Sequence, residues 1–332
     1  MNPICYRDIL LVGLLAMPCA SCSQSPALVV DPAWPKRPDG VEWGAVTGIA
    51  VDRQNQICIV NRIQPAVQVY DDGGRLVRSW NMDGPDAKGA HGIRIDHQGN
   101  FWLTDFRRHL VQKYDPSGKL LMTLGEAGRR GNDTGHFDGP TDVAIFPNGD
   151  IFISDGYGNR RVIQFDATGK YVKHWGSEGE GPGQFALPHA IVADSRQRLI
   201  VADRNNGRIQ VFDAAGKLVA IWADQVMPWG LAITAGDEVW VCGSSKVRQA
   251  QGPGWMVAPP PDQLLLKLDR EGKELMRLPL KTIASPPGQP GEVDWVHGIA
   301  VDQRGPLYLS DIQGKRVQKF EAPAAIPPPL PR

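Results

Sequence analysis

Apolar and polar residues alternate in short runs along almost the whole chain, and these runs recur at a regular interval. Period-two alternation that is rich in β-branched and aromatic side chains is typical of β-strands. Six segments fit one template: an apolar inner run, a turn, a second run, another turn and an exit strand. The six segments begin at residues 47–52, 91–96, 141–146, 189–194, 229–234 and 297–302. No stretch shows a convincing helical period.

Six sheets of about four strands each, repeated around a centre, predict an all-β fold, the six-bladed β-propeller. An open solenoid is the alternative, but no segment resembles a polar capping repeat. The last blade shows three clear strands, and we expect residues 27–31 (ALVVD) to supply its fourth strand and close the ring. One propeller then spans residues 23–322, and a proline-rich tail follows at 323–332. The blades are predicted to start near residues 45, 89, 139, 187, 227 and 295.

Composition narrows the classes of partner. Lys+Arg and Asp+Glu number 36 each and no basic block is present, so nucleic acid is not expected as a partner. An apolar content of 42% is ample for a packed core, and 37 glycines with 28 prolines fit many tight turns. The only two cysteines in the body of the chain, Cys58 and Cys242, lie inside apolar runs, so we expect buried free thiols rather than a disulfide.

The first 22 residues are interpreted as a targeting segment. Residues 9–17 form an apolar run far shorter than the roughly 20 residues of a membrane-spanning helix. Arg7 precedes this run and small residues follow it, which is typical of an export signal. The stretch CASC at 19–22 resembles a bacterial lipoprotein cleavage site with Cys22 as the lipidated residue, and simple secretion is the alternative. We expect an exported monomer in the periplasm or at the cell surface, bound to membrane only through that lipid.

One column of the repeat alignment carries the strongest chemical signal. At the start of the inner strand, alternate blades hold histidine, and the column reads Thr47, His91, Thr141, His189, Trp229 and His297. Because inner strands lie nearest the axis, these three imidazoles are predicted to converge at one end of the central channel. Three histidines with an open fourth position are the arrangement of a catalytic zinc site, and another divalent metal is the alternative ion. A separate alternative is that each histidine only caps its strand by a hydrogen bond.

The loops that leave the second strands add further candidates. In an antiparallel meander the start of the first strand and the end of the second share an edge, so these loops overhang the histidines. Blade one has Arg62 in such a loop, blade three has Tyr157 in SDGY, and blade four has Arg204. Position alone does not single out Arg62 over Arg204. A surface ion pair for Arg62 and a packed aromatic for Tyr157 are the structural alternatives.

The repeats at 137–170 and 183–217 resemble the NHL family of propellers. The order Arg62, His91, Tyr157, His189, His297 further resembles the lyase domain of peptidylglycine α-amidating enzymes, over nearly the whole chain after residue 40. This resemblance implies that the three histidines bind Zn²⁺. It also implies that Arg62 and Tyr157 are the catalytic and substrate-binding residues.

The reaction implied by the resemblance is cleavage of the N–C bond of an N-acyl or peptidyl α-hydroxyglycine, giving an amide and glyoxylate. The metal would act as a Lewis acid on the substrate hydroxyl. Tyr157 would be the general base, and Arg62 would favour its phenolate and bind the substrate carboxylate. The family also has a structural Ca²⁺, held by backbone carbonyls that match Ile49 and Ile93 and by an aspartate where this chain has Gly298. The resemblance thus implies a Ca²⁺ site that lacks its carboxylate ligand in this chain.

Two other functions stay open. A metal-dependent hydrolase or lactonase would use the same histidines and need a carboxylate base near the metal. A non-catalytic binding propeller at the cell surface would need an exposed aromatic rim, for which Trp229, Trp255 and Trp295 are the candidates. The insertion at 246–263 follows the second strand of blade five, and we interpret it as a lid over the metal face.

Overall fold

Alternating short strands and turns build the whole of the described fold. The computed structural model describes residues 28–222, 226–246, 262–285 and 287–321. In these ranges the chain forms six sheets, and a 3₁₀ turn at Arg204–Asn206 is the sole helical element. No helix in the described part of the chain is both long and apolar enough to span a bilayer.

Each sheet is one blade, in which the strands follow one another outward as an antiparallel meander. Strand β1 (Val29–Val30) precedes the first blade. Blade one contains β2 (Val46–Val51), β3 (Ile57–Asn61), β4 (Val67–Tyr70) and β5 (Leu76–Trp80). Blade two contains β6 (Ala90–Ile95), β7 (Phe101–Asp105), β8 (Leu110–Tyr114) and β9 (Leu120–Leu124). Blade three contains β10 (Pro140–Ile145), β11 (Ile151–Asp155), β12 (Arg161–Phe165) and β13 (Tyr171–Trp175).

The second half of the ring repeats the plan. Blade four contains β14 (Pro188–Ala193), β15 (Leu199–Asp203), β16 (Arg208–Phe212) and β17 (Leu218–Trp222). Blade five contains β18 (Met227–Ile233), β19 (Val239–Ser244), β20 (Gln263–Leu268) and β21 (Glu274–Thr282), with the short β22 (Glu292–Val293) parallel to β21. Blade six contains β23 (Val296–Val301), β24 (Leu307–Asp311) and β25 (Arg316–Glu321).

The ring closes through the N-terminal segment, as the sequence predicts. Strand β1 pairs antiparallel with β25, with Val29 opposite Glu321 and Val30 opposite Phe320. Inner strands of neighbouring blades also contact each other in order around the axis, and β23 of blade six meets β2 of blade one. The predicted six-bladed β-propeller is thus confirmed. Closure of this kind leaves only short strand edges exposed, which limits unwanted pairing with other chains.

The core lies between the blades. Second strands such as β3, β7 and β11 are buried at every position, whereas the outer strands β5 and β13 alternate between exposed and half-buried residues. Neighbouring blades interlock through turn glycines. Gly118 of blade two, with φ of +89°, lies so close to the Trp80 ring of blade one that a Cβ there would approach it to 2.5 Å. Only glycine fits this position without strain.

Every inner strand has an irregular register near its start, and this irregularity coincides with the histidine column. Pairing with the second strand skips the residues between Val46 and Gly48 in blade one and between Pro188 and Ala190 in blade four, and it does the same at the equivalent place in the other four blades. Such a bulge frees one residue from the ladder and redirects its side chain. The column therefore sits one or two residues inside each strand rather than at its first position.

Candidate metal centre

His91, His189 and His297 meet at one end of the central channel, as the column predicts. Their ring centroids lie 4.8 to 4.9 Å apart, and one nitrogen from each ring lies within 4.8 Å of those of the other two. All three side chains are buried. Two nitrogens on one zinc ion are at most about 4.2 Å apart, since each Zn–N bond is about 2.1 Å long. Small rotations of the rings would therefore bring all three nitrogens to one ion.

Each histidine is fixed by a backbone carbonyl of the next blade. In every case Nδ1–H donates to the bulge residue of that blade: His91 to Thr141 O (2.7 Å), His189 to Trp229 O (2.5 Å) and His297 to Thr47 O (2.6 Å). Because Nδ1 carries the hydrogen, the lone pair is on Nε2, toward the channel. A second hydrogen bond of this kind is the usual way in which a protein orients a metal-binding histidine. The bonds reach across blades, so the histidines do not simply cap their own strands.

The protonation state of the three imidazoles also suits a metal. Burial lowers the pKa of His91 and His189 well below the usual value and lowers the pKa of His297 to about 3. Positive charge on Arg62 or Arg204 acts in the same direction. Neutral imidazole is the form that binds metal ions. Three neutral, preoriented nitrogen donors with an open side therefore fit one divalent ion, zinc foremost.

Tyr157 covers the open side of the three histidines. Its hydroxyl lies 2.9 Å from His91 Nε2 and 3.4 Å from His189 Nε2. The loop after β11 is held to the start of the same blade by the bond from Tyr157 N to Gly139 O (3.2 Å). Burial raises the pKa of the Tyr157 phenol, and the positive charges of Arg204 and Arg62 oppose that rise, Arg204 more strongly. The phenol is thus positioned where the fourth ligand or a substrate hydroxyl would lie.

Two arginines flank the phenol, and the sequence alone did not choose between them. Arg62 donates from Nε to Ala90 O (3.2 Å), directly before His91, and its guanidinium lies over the Phe106 ring. Arg204 is fully buried, with its Cζ 4.3 Å from the Trp229 ring centroid. Its Nη2 has no hydrogen-bond partner within the described residues. A buried guanidinium N–H without an acceptor is unfavourable, which points to an anionic ligand at this place.

Phe106 is a site residue that sequence reasoning missed. Its ring lies 5.3 Å from the Tyr157 ring and 6.0 Å from the His91 ring, and it supports the Arg62 guanidinium. Its position was available in the repeat alignment, because Phe106 directly follows the second strand of its blade, as Arg62 and Arg204 follow theirs. The equivalent loop position that indicated the two arginines therefore indicates Phe106 as well.

Of the candidates for an aromatic rim, Trp229 is not exposed, and Trp295 is half-buried. Trp229 is buried and packs edge-on against both the Trp295 ring, at 4.9 Å, and the His189 ring, at 5.6 Å. Trp255 and almost all of the predicted lid, 247–261, lie outside the described residues. The prediction for Cys58 and Cys242 is confirmed, since both are buried free thiols.

The residues of the channel do not fit the calcium that the family resemblance implied. Ile49, Ile93 and Gly298 do line a cavity of about 30 Å³ next to the histidines. However, the Arg94 side chain also lines this cavity, and its guanidinium is paired with Asp142. Among the described residues, the three histidines form the one group of His, Cys, Asp or Glu that could hold a metal ion. A guanidinium in the channel takes the carboxylate that a calcium ion would need.

Comparison with known proteins agrees with the fold. Residues 138–222 match a family described as a 6-bladed beta-propeller. The chain is 48% identical over 98 residues to peptidylglycine alpha-amidating monooxygenase of Rattus norvegicus, a match that covers 28% of this chain and 10% of the rat protein. It is 38% identical over 122 residues to a probable peptidyl-alpha-hydroxyglycine alpha-amidating lyase of Caenorhabditis elegans, over 36% of this chain and 34% of that protein. The chain thus spans only a small part of these relatives.

Solved structures share the fold at low identity. Virginiamycin B lyase from Staphylococcus aureus has a TM-score of 0.56 at 16% identity, over 84% of this chain and 95% of that one. A gluconolactonase from Xanthomonas campestris has a TM-score of 0.58 at 14% identity, over 84% of this chain and 86% of that one.

A longer match decides the family. Human NHL repeat-containing protein 3 is 30% identical over 315 residues, which cover 88% of this chain and 83% of the human protein. The repeats, the closed ring of blades and this match together show that the chain belongs to the family of NHL-repeat-containing β-propellers.

Proposed function

We propose that this protein is a metal-dependent lyase that cleaves the N–C bond of an N-acyl or peptidyl α-hydroxyglycine, giving an amide and glyoxylate. The observation that carries the proposal is the Tyr157 hydroxyl, which lies against Nε2 of both His91 and His189. The partial matches to proteins named as amidating enzymes support the same chemistry.

The residues around the histidines supply the proton transfers that this reaction needs. A metal held by His91, His189 and His297 would supply Lewis acidity toward the substrate hydroxyl. Tyr157 Oη takes the hydroxyl proton, and the O–H electron pair becomes the second C–O bond of glyoxylate. The electron pair of the broken N–C bond stays on the amide nitrogen. Tyr157 Oη then returns its proton to that nitrogen, so atoms and charge balance without an added oxidant or water.

The two arginines make the tyrosine a better base and bind the substrate. A phenol with an ordinary pKa near 10 is a poor base at neutral pH, and burial raises the pKa of Tyr157 further. The charges of Arg204 and Arg62 counteract this effect. The unpartnered Nη2 of Arg204 is the donor best suited to the substrate carboxylate. We therefore assign the carboxylate contact to Arg204 in addition to Arg62.

The alternatives receive less support from the described residues. A lactonase-type hydrolase needs a carboxylate base near the metal, and Asp142 is the one acidic residue among the described residues that line the channel cavity. Asp142 is already paired with Arg94. A binding propeller loses one of its three rim candidates, because Trp229 is buried. Export, a lipid on Cys22 and a monomeric state stay predictions from the sequence.

The test is a product assay on zinc-loaded protein. N-benzoyl-α-hydroxyglycine should give glyoxylate and benzamide in equal amounts, well above the rate without protein. N-benzoylglycine, which lacks the hydroxyl, should give neither product. A sugar lactone offered in parallel should remain intact. Lactone hydrolysis without glyoxylate formation would assign the site to a hydrolase, and no turnover of either compound would favour a binding function.

A further inference from the structure

A buried ion pair lies in the central channel directly behind the three histidines. Arg94, on the inner strand of blade two, donates from Nε to Asp142 Oδ1 (3.0 Å) and from Nη2 to Asp142 Oδ2 (2.5 Å). The Asp142 side chain is only 6% exposed and that of Arg94 21% exposed. This two-pronged contact is the strongest form of an arginine–carboxylate pair.

The pair connects four of the six blades. The third guanidinium nitrogen, Arg94 Nη1, reaches across the channel and donates to Leu231 O of blade five (3.0 Å). Asp142 also accepts from two backbone amides, Val143 N in its own blade three (2.9 Å) and Ile191 N in blade four (3.0 Å). The contacts of Arg94 with Asp142 and Leu231, and that of Asp142 with Ile191, each join two different inner strands. The carboxylate is fully satisfied, so the network is stable in this buried place.

The same network ends next to the carbonyls that orient two of the histidines. Asp142 directly follows Thr141, whose carbonyl accepts from His91 Nδ1. Leu231 is two residues after Trp229, whose carbonyl accepts from His189 Nδ1. Arg94 itself is three residues after His91 on the same strand. A shift of these inner strands would therefore move both the histidines and their acceptors.

We propose that the Arg94–Asp142 pair is an internal cation and anion that take the structural place of a bound calcium ion in this propeller. The pair ties the inner strands of blades two to five and thereby holds the carbonyls behind His91 and His189 in register. Arg94 is a positioning residue for the metal centre, and this second part of the inference rests on the proposed metal site. A calcium ion is excluded from the place of this pair, behind the histidines, by the guanidinium charge and by the loss of its carboxylate ligand.

The first experiment measures calcium dependence. Zinc-loaded protein that has been dialysed free of calcium should contain less than a tenth of an equivalent of calcium, and its unfolding midpoint should not change when millimolar CaCl₂ is added. One tightly held calcium per chain, or a rise of several degrees with CaCl₂, would overturn the internal-cation role. This calcium experiment does not depend on the histidines, so its result is informative even if the protein has no lyase activity.

The second experiment separates positioning from stability. Arg94→Met keeps the length of the side chain, leaves Asp142 unpaired and should lower the unfolding midpoint by roughly 5–10 °C. It should also weaken zinc binding about 10- to 100-fold and alter the visible spectrum of the Co²⁺-substituted protein. In Arg94→Met/Asp142→Asn the unpaired charge is gone, so the midpoint should partly recover while zinc affinity stays weak.

The matched control is Arg198→Met. Arg198 forms a comparably buried pair with Asp194 (2.6 Å), but at the other end of the inner strand β14. This variant should lose stability and keep wild-type zinc affinity and the wild-type Co²⁺ spectrum. Wild-type zinc affinity and spectrum in Arg94→Met would refute the positioning role. Equal losses of zinc affinity in Arg94→Met and Arg198→Met would also refute it, because Arg94 would then be only a general stabilising residue.

Discussion

Removal of the Tyr157 hydroxyl tests the proposed mechanism most directly. In Tyr157→Phe the ring keeps its packing against Phe106 (5.3 Å between centroids) and His91 (5.4 Å), so the loop should stay in place. The hydroxyl gives up its hydrogen bond to His91 Nε2 (2.9 Å). One hydrogen bond between neutral groups contributes about 1 kcal/mol, so stability should change by no more than about that amount. Metal binding should not weaken, because the phenol is not among the three nitrogen ligands.

Turnover should respond quite differently. A positioned general base contributes about 10²- to 10⁴-fold, which corresponds to about 2.7–5.5 kcal/mol in the activation barrier. The loss should appear in kcat, because the substrate carboxylate would still be bound by Arg62 and Arg204. The assay follows glyoxylate release at saturating N-benzoyl-α-hydroxyglycine, together with elemental analysis for zinc on the same sample.

A matched control is available on an outer strand. Tyr171 also places its hydroxyl near a histidine nitrogen, His174 Nδ1 at 3.0 Å, but far from the channel. Tyr171→Phe should keep full activity and full zinc content. If Tyr157→Phe retained both its zinc and a kcat within about threefold of wild type, the tyrosine base would be wrong. The mechanism would then have to use another proton acceptor, and a metal-hydroxide hydrolase would become the leading account.

Three further outcomes are expected. The wild-type protein should carry about one equivalent of divalent metal by elemental analysis, and His189→Ala should lose most of it, since two imidazoles bind zinc far more weakly than three. Arg204→Met should keep the metal but lose about 10- to 150-fold in kcat/KM for a substrate with a free carboxylate. This loss corresponds to one charge-assisted hydrogen bond of about 1.5–3 kcal/mol. The loss for the methyl ester should be smaller. The pKa of Asp115 is lowered in the folded chain, first by the Ser117 hydroxyl and then by the Lys119 amide. The stabilising contribution of the Asp115 carboxylate is therefore complete above its unfolded pKa of about 3.9, and it is lost as pH falls through the lower folded pKa. The unfolding midpoint of Asp115→Asn should lie below that of wild type near neutral pH. In acid the two midpoints should converge.

The repeat made the fold and the meeting of the histidines predictable from sequence. Equivalent residues of a closed ring point to equivalent places, so one alignment column fixed His91, His189 and His297 without any knowledge of the side-chain directions. The same reasoning placed residues 27–31 as the strand that closes blade six, and Val29–Val30 do pair with β25. Both inferences needed only the order of strands within a blade and the closure of the ring.

Contacts between blades that join different columns of the repeat could not be predicted from the sequence. The pairing of Arg94 with Asp142, 48 positions later, depends on the depth of two side chains in the channel, and no local pattern encodes that depth. Position alone did not separate Arg62 from Arg204 for the same reason, because both occupy the same loop position and differ in burial and partners. For calcium, the family resemblance described backbone carbonyls that are present but not the guanidinium beside them.

The alternation of histidine with other residues has a physical reason that the structure makes visible. Each bulge residue has two groups that can face the central channel, its side chain and a backbone carbonyl that is not paired in the sheet. Blades two, four and six offer imidazoles, and blades three, five and one offer the carbonyls that accept their Nδ1 hydrogens. A six-bladed ring can thus provide three nitrogen donors and three orienting carbonyls from one repeated position, and the open side of the three histidines lies beneath Tyr157.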